Sequence, residues 1–354
     1  MSIIFRNLPM LLLFLSLLLS QIAEATEKRK KVEKTYNISS KTEIYVDNKF
    51  GTVEFINWDK NELKLEVEII VDARNEREAQ EALDNIRIRI NDSNPNSLLE
   101  FETDINNGRW NRGRNSYDFE INYRVNAPSG NDLDLRNRHG DIYLDDRSGK
   151  TRVDLSHGRI KAEQLTGDTD LELSFGDGSV QSVMKGRVEI KHFGRLVMDK
   201  SGDIEVESAH SNLRMGNGGV IYARVQHGDF EAENLVSFEA DVQHSDIEVR
   251  GVEKMVSVDA SHSDVEIDRI GENFERIEVE GGFSDFDLGI STKSKFELDA
   301  RMSFGKLNYS SSAFSIPYVN KEMHNSRYKG SIGGGGSAKL YADLQHGDVR
   351  LNDY

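Results

Sequence analysis

Apolar and polar residues alternate along most of the chain, and the alternation slips at regular intervals. Val153-Asp154-Leu155-Ser156-His157 places every second residue on one face, and the pattern changes phase at Gly158 and resumes as Ile160-Lys161-Ala162. Period-two alternation marks half-buried strands, and a slip at glycine marks a bend where a residue without Cβ takes the required backbone angles. Each unit therefore reads as strand, corner, strand, turn. A second glycine often closes it, at Gly149, Gly167, Gly186, Gly202, Gly251 and Gly271.

The corners recur. A ring followed by Gly or Ser stands at His139, His157, Phe175, Phe193, His210, His227, His244, His262, Phe283, Phe304 and His346, with steps of 18, 18, 18, 17, 17, 17, 18, 21, 21 and 42 residues. A fixed period of this kind is the signature of stacked repeats. At about 3.3 Å per residue, 17–21 residues give one circuit of a narrow solenoid whose turns lie about 4.8 Å apart, and a dozen circuits make a rod on the order of 55 Å long. The expected class is all-β, a right-handed β-helix or β-solenoid. Stacked antiparallel hairpins share the alternation, because a period does not fix strand direction. A transmembrane barrel is disfavoured: its strands need about 9–11 residues and aromatic girdles, whereas these runs are short and Trp occurs twice in 354 residues.

Three segments are expected: a signal over residues 1–25, a β-rich cap over 26–130 and the repeat array over 131–354. The first has a basic start at Arg6, an apolar run from Leu11 to Leu19 and an Ala23-Glu24-Ala25 close, the pattern of a cleaved secretory signal; an uncleaved anchor is its alternative. Within the cap, Asn75 with Glu78 three residues on predicts the start of a helix running to Leu83, and strands are expected near Val71, over 98–103 and over 117–125. Phe50-Gly51 repeats the corner, so the array begins inside this region. Residues 106–115, rich in Asn, Gly and Arg, predict an exposed loop.

The series Asn48-Lys49-Phe50-Gly51-Thr52-Val53, Trp58 to Leu63, the Ala79 to Asp84 helix end, Asn122-Tyr123-Arg124-Val125 with Pro128, and the ring-Gly-Asp corners together resemble the putative-adhesin, β-strand-repeat family of secreted bacterial proteins, Bacteroidota among them. The resemblance covers essentially the whole mature chain. It implies a right-handed β-helix-like fold, an extracytoplasmic location and no established catalytic activity, and it supplies no catalytic residues to carry over.

Composition narrows the partners. The absence of cysteine excludes disulfides, thiolate metal sites and lipidation at an N-terminal Cys. A formal charge of −16 disfavours nucleic acid and anionic membranes. The doubled Gln226-His227-Gly228-Asp229 and Gln243-His244-Ser245-Asp246 invite a metal or catalytic reading. Phe shares the histidine slot and offers no ligand atom, so a stacked ring column, directed to the interior by the alternation, is the expected role. Arg159, Arg195 and Lys306 share the slot of Asp141, Asp177, Asp229, Asp246, Asp264, Asp285 and Asp348, so those carboxylates are expected to cap backbone N–H groups rather than bind calcium. No cofactor, metal or catalytic residue is expected.

The glycine run over 331–340 lacks the Lys-Ser/Thr ending of a phosphate loop and reads as a connection into a last strand from Ala338 to Leu344. Residues 314–330 break the period, and Tyr318, Lys321, His324, Arg327 and Tyr328 there form the candidate recognition loop. The functional expectation is a non-catalytic, adhesin-like protein that binds an envelope or extracellular protein or glycan. An envelope-stress or signalling accessory is one alternative. A polysaccharide-active enzyme using outward acids such as Glu205, Glu231, Glu248 and Glu266 is the other.

Overall fold

Each alternating stretch pairs in parallel with the next one along the chain. In the computed structural model, which describes residues 26–106, 117–310, 312 and 314–354, Val153 lies beside Leu171, Leu171 beside Val188 and Val188 beside Val206. The offset is one sequence period, so equivalent residues form columns. Among the described residues the structure is all-β apart from one helix, and the 25 strands join one mixed sheet. The expected signal segment and nearly all of the expected 106–115 loop lie outside the described residues.

The long strands Arg159–Ser174, Asp177–Lys191, Arg195–Ala209, Asn212–Gln226, Phe230–Gln243 and Asp246–Ser261 each run from one ring corner to the next. The second, closing turn is therefore a bend within a continuous ladder. Glycine serves close approach there: a Cβ on Gly167 would lie 2.2 Å from the Gly149 carbonyl oxygen, and one on Gly202 would lie 2.0 Å from that of Met184.

The core is a set of in-register apolar columns. Ile160, Leu196, Leu213, Phe230, Ile247, Val265 and Phe286 occupy one column, and all are 0–1% exposed. Gly178 interrupts it, and a Cβ there would meet the Ile160 side chain at 2.5 Å. At about 25 cal/mol per Å2 of apolar surface, these columns are the main stabilising term in a chain without disulfides.

The ends break chain order. Near the N-terminus, Glu43–Lys49 pairs in parallel with both Leu98–Ile105 and Leu133–Arg138, and Val53–Asn57 with both Tyr117–Ala127 and Ile142–Leu144. The first unit in sequence is thus second in space. Outside it, Ile86–Asn94 and Glu62–Ala73 close the edges antiparallel, and Thr26–Asn37 covers the latter in turn. The helix Glu76–Asn85 starts where the sequence places it: the Glu78 N–H donates to Asn75 Oδ1 at 3.0 Å, and Ala79, Ala82 and Leu83 are buried. An antiparallel cap satisfies the ladder groups that a bare edge would leave open to another chain.

The C-terminal end mirrors this. Ala338–Gln345 lies between Arg276–Gly282 and Phe296–Ser303, parallel to both, and Val349–Asp353 lies between Asp285–Ile290 and Leu307–Tyr309. The last unit in sequence is inserted between two earlier ones. The 42-residue step from Phe304 to His346 is therefore a return path rather than a longer repeat. Residues 314–330 form most of a hairpin, Tyr318–Glu322 with Asn325–Ile332, whose second strand closes Phe296–Ser303 antiparallel.

Candidate functional site

The corner is where the alternation fails, and the structure shows which residue bends. Positive φ belongs to the ring residue, from 50° at His192 to 63° at Phe50, while at the eleven corners from His139 to His346 the following residue, Gly or Ser at ten of them and Phe193 at the other, keeps an ordinary φ. The expectation that glycine supplies the unusual angle is corrected. Glycine is needed for proximity instead: a Cβ on Gly158 would lie 2.0 Å from the Gly140 oxygen, and one on Gly140 would lie 1.9 Å from that of Gly51. Where Ser takes the position, its hydroxyl bridges units, as when the Gly228 N–H donates to Ser245 Oγ at 3.2 Å and the Ser245 N–H to Ser263 Oγ at 3.1 Å.

A left-handed residue turns its side chain out of the strand's alternation, so the rings face solvent. Phe175 is 50% and Phe283 58% exposed, which corrects the expectation of an interior column. The rings still stack. From Phe50 through His139, His157, Phe175, His192, His210, His227, His244, His262, Phe283, His346 and Phe304 to His324, successive centroids are 4.6–5.2 Å apart. Phe119 meets Phe50 edge-on at 5.2 Å.

The left-handed conformation costs about 1–2 kcal/mol per residue. Stacking on two neighbours returns about 0.5–1.5 kcal/mol per pair, and the ladder continues through the corner, with the His227 N–H donating to the Gln243 carbonyl at 3.1 Å. The two terms offset, so the corner tolerates any flat ring and does not require glycine.

Phe193 is not in the column. His192 takes that place, and Phe193 is fully buried, packing over Gly176, whose missing side chain leaves it room. Its N–H donates to Ser211 Oγ at 2.8 Å, so Phe193 stands in the Gly/Ser position and Gly194 is an extra residue. The sequence carried a signal for this, since steps of 17 and 18 through His192 fit the period as well as 18 and 17 through Phe193.

The corner aspartates act between units. The Arg159 N–H donates to Asp141 Oδ1 at 2.9 Å, the Lys306 N–H to Asp348 Oδ1 at 3.0 Å and the Asp348 N–H to Asp285 Oδ1 at 2.9 Å. A basic residue thus fits the same slot because its own N–H is capped by the carboxylate of the adjoining unit. Among the described residues no group of three His, Cys, Asp or Glu side chains could hold a metal ion. Near-parallel stacking accounts for the histidines: His227 lies 5° from the plane of His210 and 4° from that of His244, so their in-plane lone pairs do not converge.

The residues of the expected recognition loop separate. Tyr318 and Lys321 lie on the exposed outer strand of the hairpin. His324 ends the ring column against Phe304 at 4.7 Å. Arg327 forks onto Asp299 at 3.1 and 3.0 Å, and Tyr328 is buried, 2% exposed. Burial pushes the Asp299 carboxyl up, and the hydrogen bonds from Arg327 and Lys329 outweigh it and hold it below the usual range. The tip of the hairpin carries Met323, 98% exposed.

The outward acids occupy two faces. Glu231, Glu248 and Glu266 share one column, continued by Asp287, whereas Glu205 lies on the strand before the corner, beside Tyr222 and in line with Glu239. The four acids named from the sequence therefore do not form one row: strands on either side of a corner face different directions. Burial, then Asp268, Asp287 and Glu248, push the Glu266 carboxyl up. On the other face a shallow groove is lined by Glu205, Tyr222, Arg224, Glu239, Asp241 and Asp259, with Tyr222 49% exposed.

Arg147 is a buried residue that sequence reasoning missed. Its guanidinium donates to the Pro128 and Asn131 carbonyls at 3.1 and 2.6 Å, and burial lowers its pKa to about 10. An arginine in Asp-Asp-Arg-Ser-Gly reads as surface, and nothing local betrays the carbonyls that hold it.

No family model and no curated protein matches the chain. Solved structures do. Its structural neighbours include proteins described as adhesins. A putative cell adhesion protein of Clostridium sporogenes is 12% identical, covering 94% of this chain and 100% of its own, with a TM-score of 0.20. A putative adhesin of Parabacteroides distasonis is 11% identical over 93% and 98%, TM-score 0.27. A putative lipid binding protein of the same species is 9% identical over the same shares, TM-score 0.27. Among the described residues no helix is long and apolar enough to cross a membrane.

Proposed function

We propose that the chain is an extracytoplasmic, non-catalytic binding protein, built as a right-handed β-helix and holding an envelope or extracellular protein or glycan along its side. Residues 1–25 act as the export signal, 26–130 combine the first units with the N-terminal cap, and 131–354 carry the array. The observation that carries the reading is the exposed column of stacked rings, flanked by in-register rows of charged side chains. Such a surface presents the same groups at every strand spacing, which suits an extended partner better than a small molecule in a pocket.

The experiment combines protease accessibility on intact cells with capture of envelope proteins and binding to a glycan array by the full chain. The expected result is an exported protein that retains a defined protein or glycan partner, with retention reduced at least tenfold when His210, His227 and His244 are changed together to Ser. Cytoplasmic retention overturns the reading. So does release of reducing ends from a polysaccharide that is abolished by Glu266→Ala, since the raised Glu266 carboxyl is the acid a cleaving enzyme would use.

A further inference from the structure

The last unit of the chain fills a slot between two units that precede it. We propose that this C-terminal unit, residues 338–353, is an exchangeable element, and that the same slot accepts it from a second copy of the chain. The inference is independent of what the lateral face binds.

Four observations lead there. The unit pairs on both sides over most of its length, with Glu280 beside Asp343 and Asp343 beside Arg301. Its inward residues Leu340, Leu344, Val349 and Leu351 are buried, so the slot recognises the alternation that any copy carries. It brings its own ring, His346, which stacks on Phe283 at 4.7 Å and Phe304 at 4.6 Å and closes the column. Finally, the flanking strands are joined independently of it: residues 291–295 link Asp285–Ile290 to Phe296–Ser303, a connector of the same length as 271–275, which joins two strands that both pair directly with Asp246–Ser261.

The tether is the glycine run. From Ile332, antiparallel to Phe296–Ser303, the chain crosses the start of that strand and returns on its other side at Ala338. Gly333, Gly334 and Gly335 have φ of +61°, +91° and +78°, and a Cβ at Gly333 or Gly336 would meet the Ser294 or Lys295 oxygen at 2.7 or 2.9 Å. Contacts in the slot are the same whichever chain donates the unit, so only the tether favours the chain's own. A short flexible tether gives an effective concentration on the order of millimolar. Exchange therefore grows with protein concentration and with anything that disfavours the crossing, and short strained connections promote such swapping.

Full-length chains carrying Glu280→Cys with one tag and Asp343→Cys with another test this, because the natural chain has no cysteine. The two are refolded together over a range of concentrations, oxidised and resolved without reductant. A covalent heterodimer that increases with concentration is expected, and Gly334→Pro in both chains should raise it severalfold, since proline cannot adopt the positive φ. The double variant Glu280→Cys/Asp343→Cys, refolded dilute, should close within one chain. Internal closure of the double variant with no heterodimer at any concentration overturns the proposal, as does failure of the double variant to close. If Gly334→Pro does not fold, the heterodimer from the otherwise native chains decides.

Discussion

The middle of the array and its two ends are built from the same unit under different rules. Between residues 151 and 282 each unit pairs with its neighbour in sequence, and identity of position does the work: ring on ring, Gly or Ser on Gly or Ser except at Phe193, apolar on apolar except at Gly178. At the ends the neighbours in space are not neighbours in sequence, and antiparallel strands and a helix close the edges. Repetition can extend a sheet indefinitely but cannot end it. Termination needs segments that break the period, and here each end also locks a terminal unit inside the stack.

The contrast is broken most strongly at the corners of the middle. Gly158→Val would force a Cβ to within 2.0 Å of the Gly140 oxygen and should cost more than about 4 kcal/mol, read as a collapse of the denaturation midpoint. At the end, Gly334→Ala meets no atom within 4 Å and loses only the ease of a positive φ, about 1–2 kcal/mol. Equal losses would show that close approach is not what the corner glycines provide.

Leu344→Ala empties a buried position of the inserted unit and should cost about 2–5 kcal/mol in equilibrium unfolding. Loss of amide protection on both flanking strands, 276–282 and 296–303, is expected with it. Protection lost on only one of them would place the unit at an edge.

The ring column separates strain from stacking. His227→Phe should be nearly neutral, within about 0.5 kcal/mol, because Phe fills equivalent corners. His227→Ala keeps the left-handed cost and loses the stack, for about 1–2 kcal/mol, and His227→Gly should fall between them because it relieves the φ of 55°. An Ala variant as stable as the Phe variant would remove stacking from the account.

The smallest effect belongs to the C-terminal cap. Asp299→Asn removes the Arg327 fork at a partly exposed site and should cost about 0.5–1 kcal/mol. With the native carboxyl held below its ordinary range, the pair's contribution is complete above that range and is lost as pH falls from there through the lowered native value. Protection factors in the hairpin, taken against the intrinsic exchange rate at each pH, should fall in acid for the natural chain, and the Asn variant should show a flatter profile.

The repeating middle was legible in the sequence because alternation, period and corner residues all report on the same local geometry. The helix start at Asn75 was legible for the same reason. The column was found with one residue wrong, Phe193 for His192, because both rings satisfy the period and only packing against Gly176 distinguishes them. Its outward direction was missed because alternation was carried through a residue whose positive φ interrupts it. Placement of the first and last units inside the stack left no local trace, since Leu340, Leu344 and Val349 alternate as any unit does and only their partners are unusual. Residues 314–330 read as a recognition loop because a break in the period looks the same whether it binds a ligand or closes an edge.

Insertion of the last unit between its predecessors is the claim on which the C-terminal half rests, and one oxidation experiment addresses it. Two double variants of the full chain are compared, Glu280→Cys/Asp343→Cys and Glu280→Cys/Arg301→Cys. Paired residues on adjacent strands lie about 4.8 Å apart, within disulfide reach, and residues two strands apart do not. The account predicts that the 280–343 pair closes within a dilute chain and the 280–301 pair does not. Closure of 280–301 with 280–343 left reduced would return the units to sequence order and contradict it.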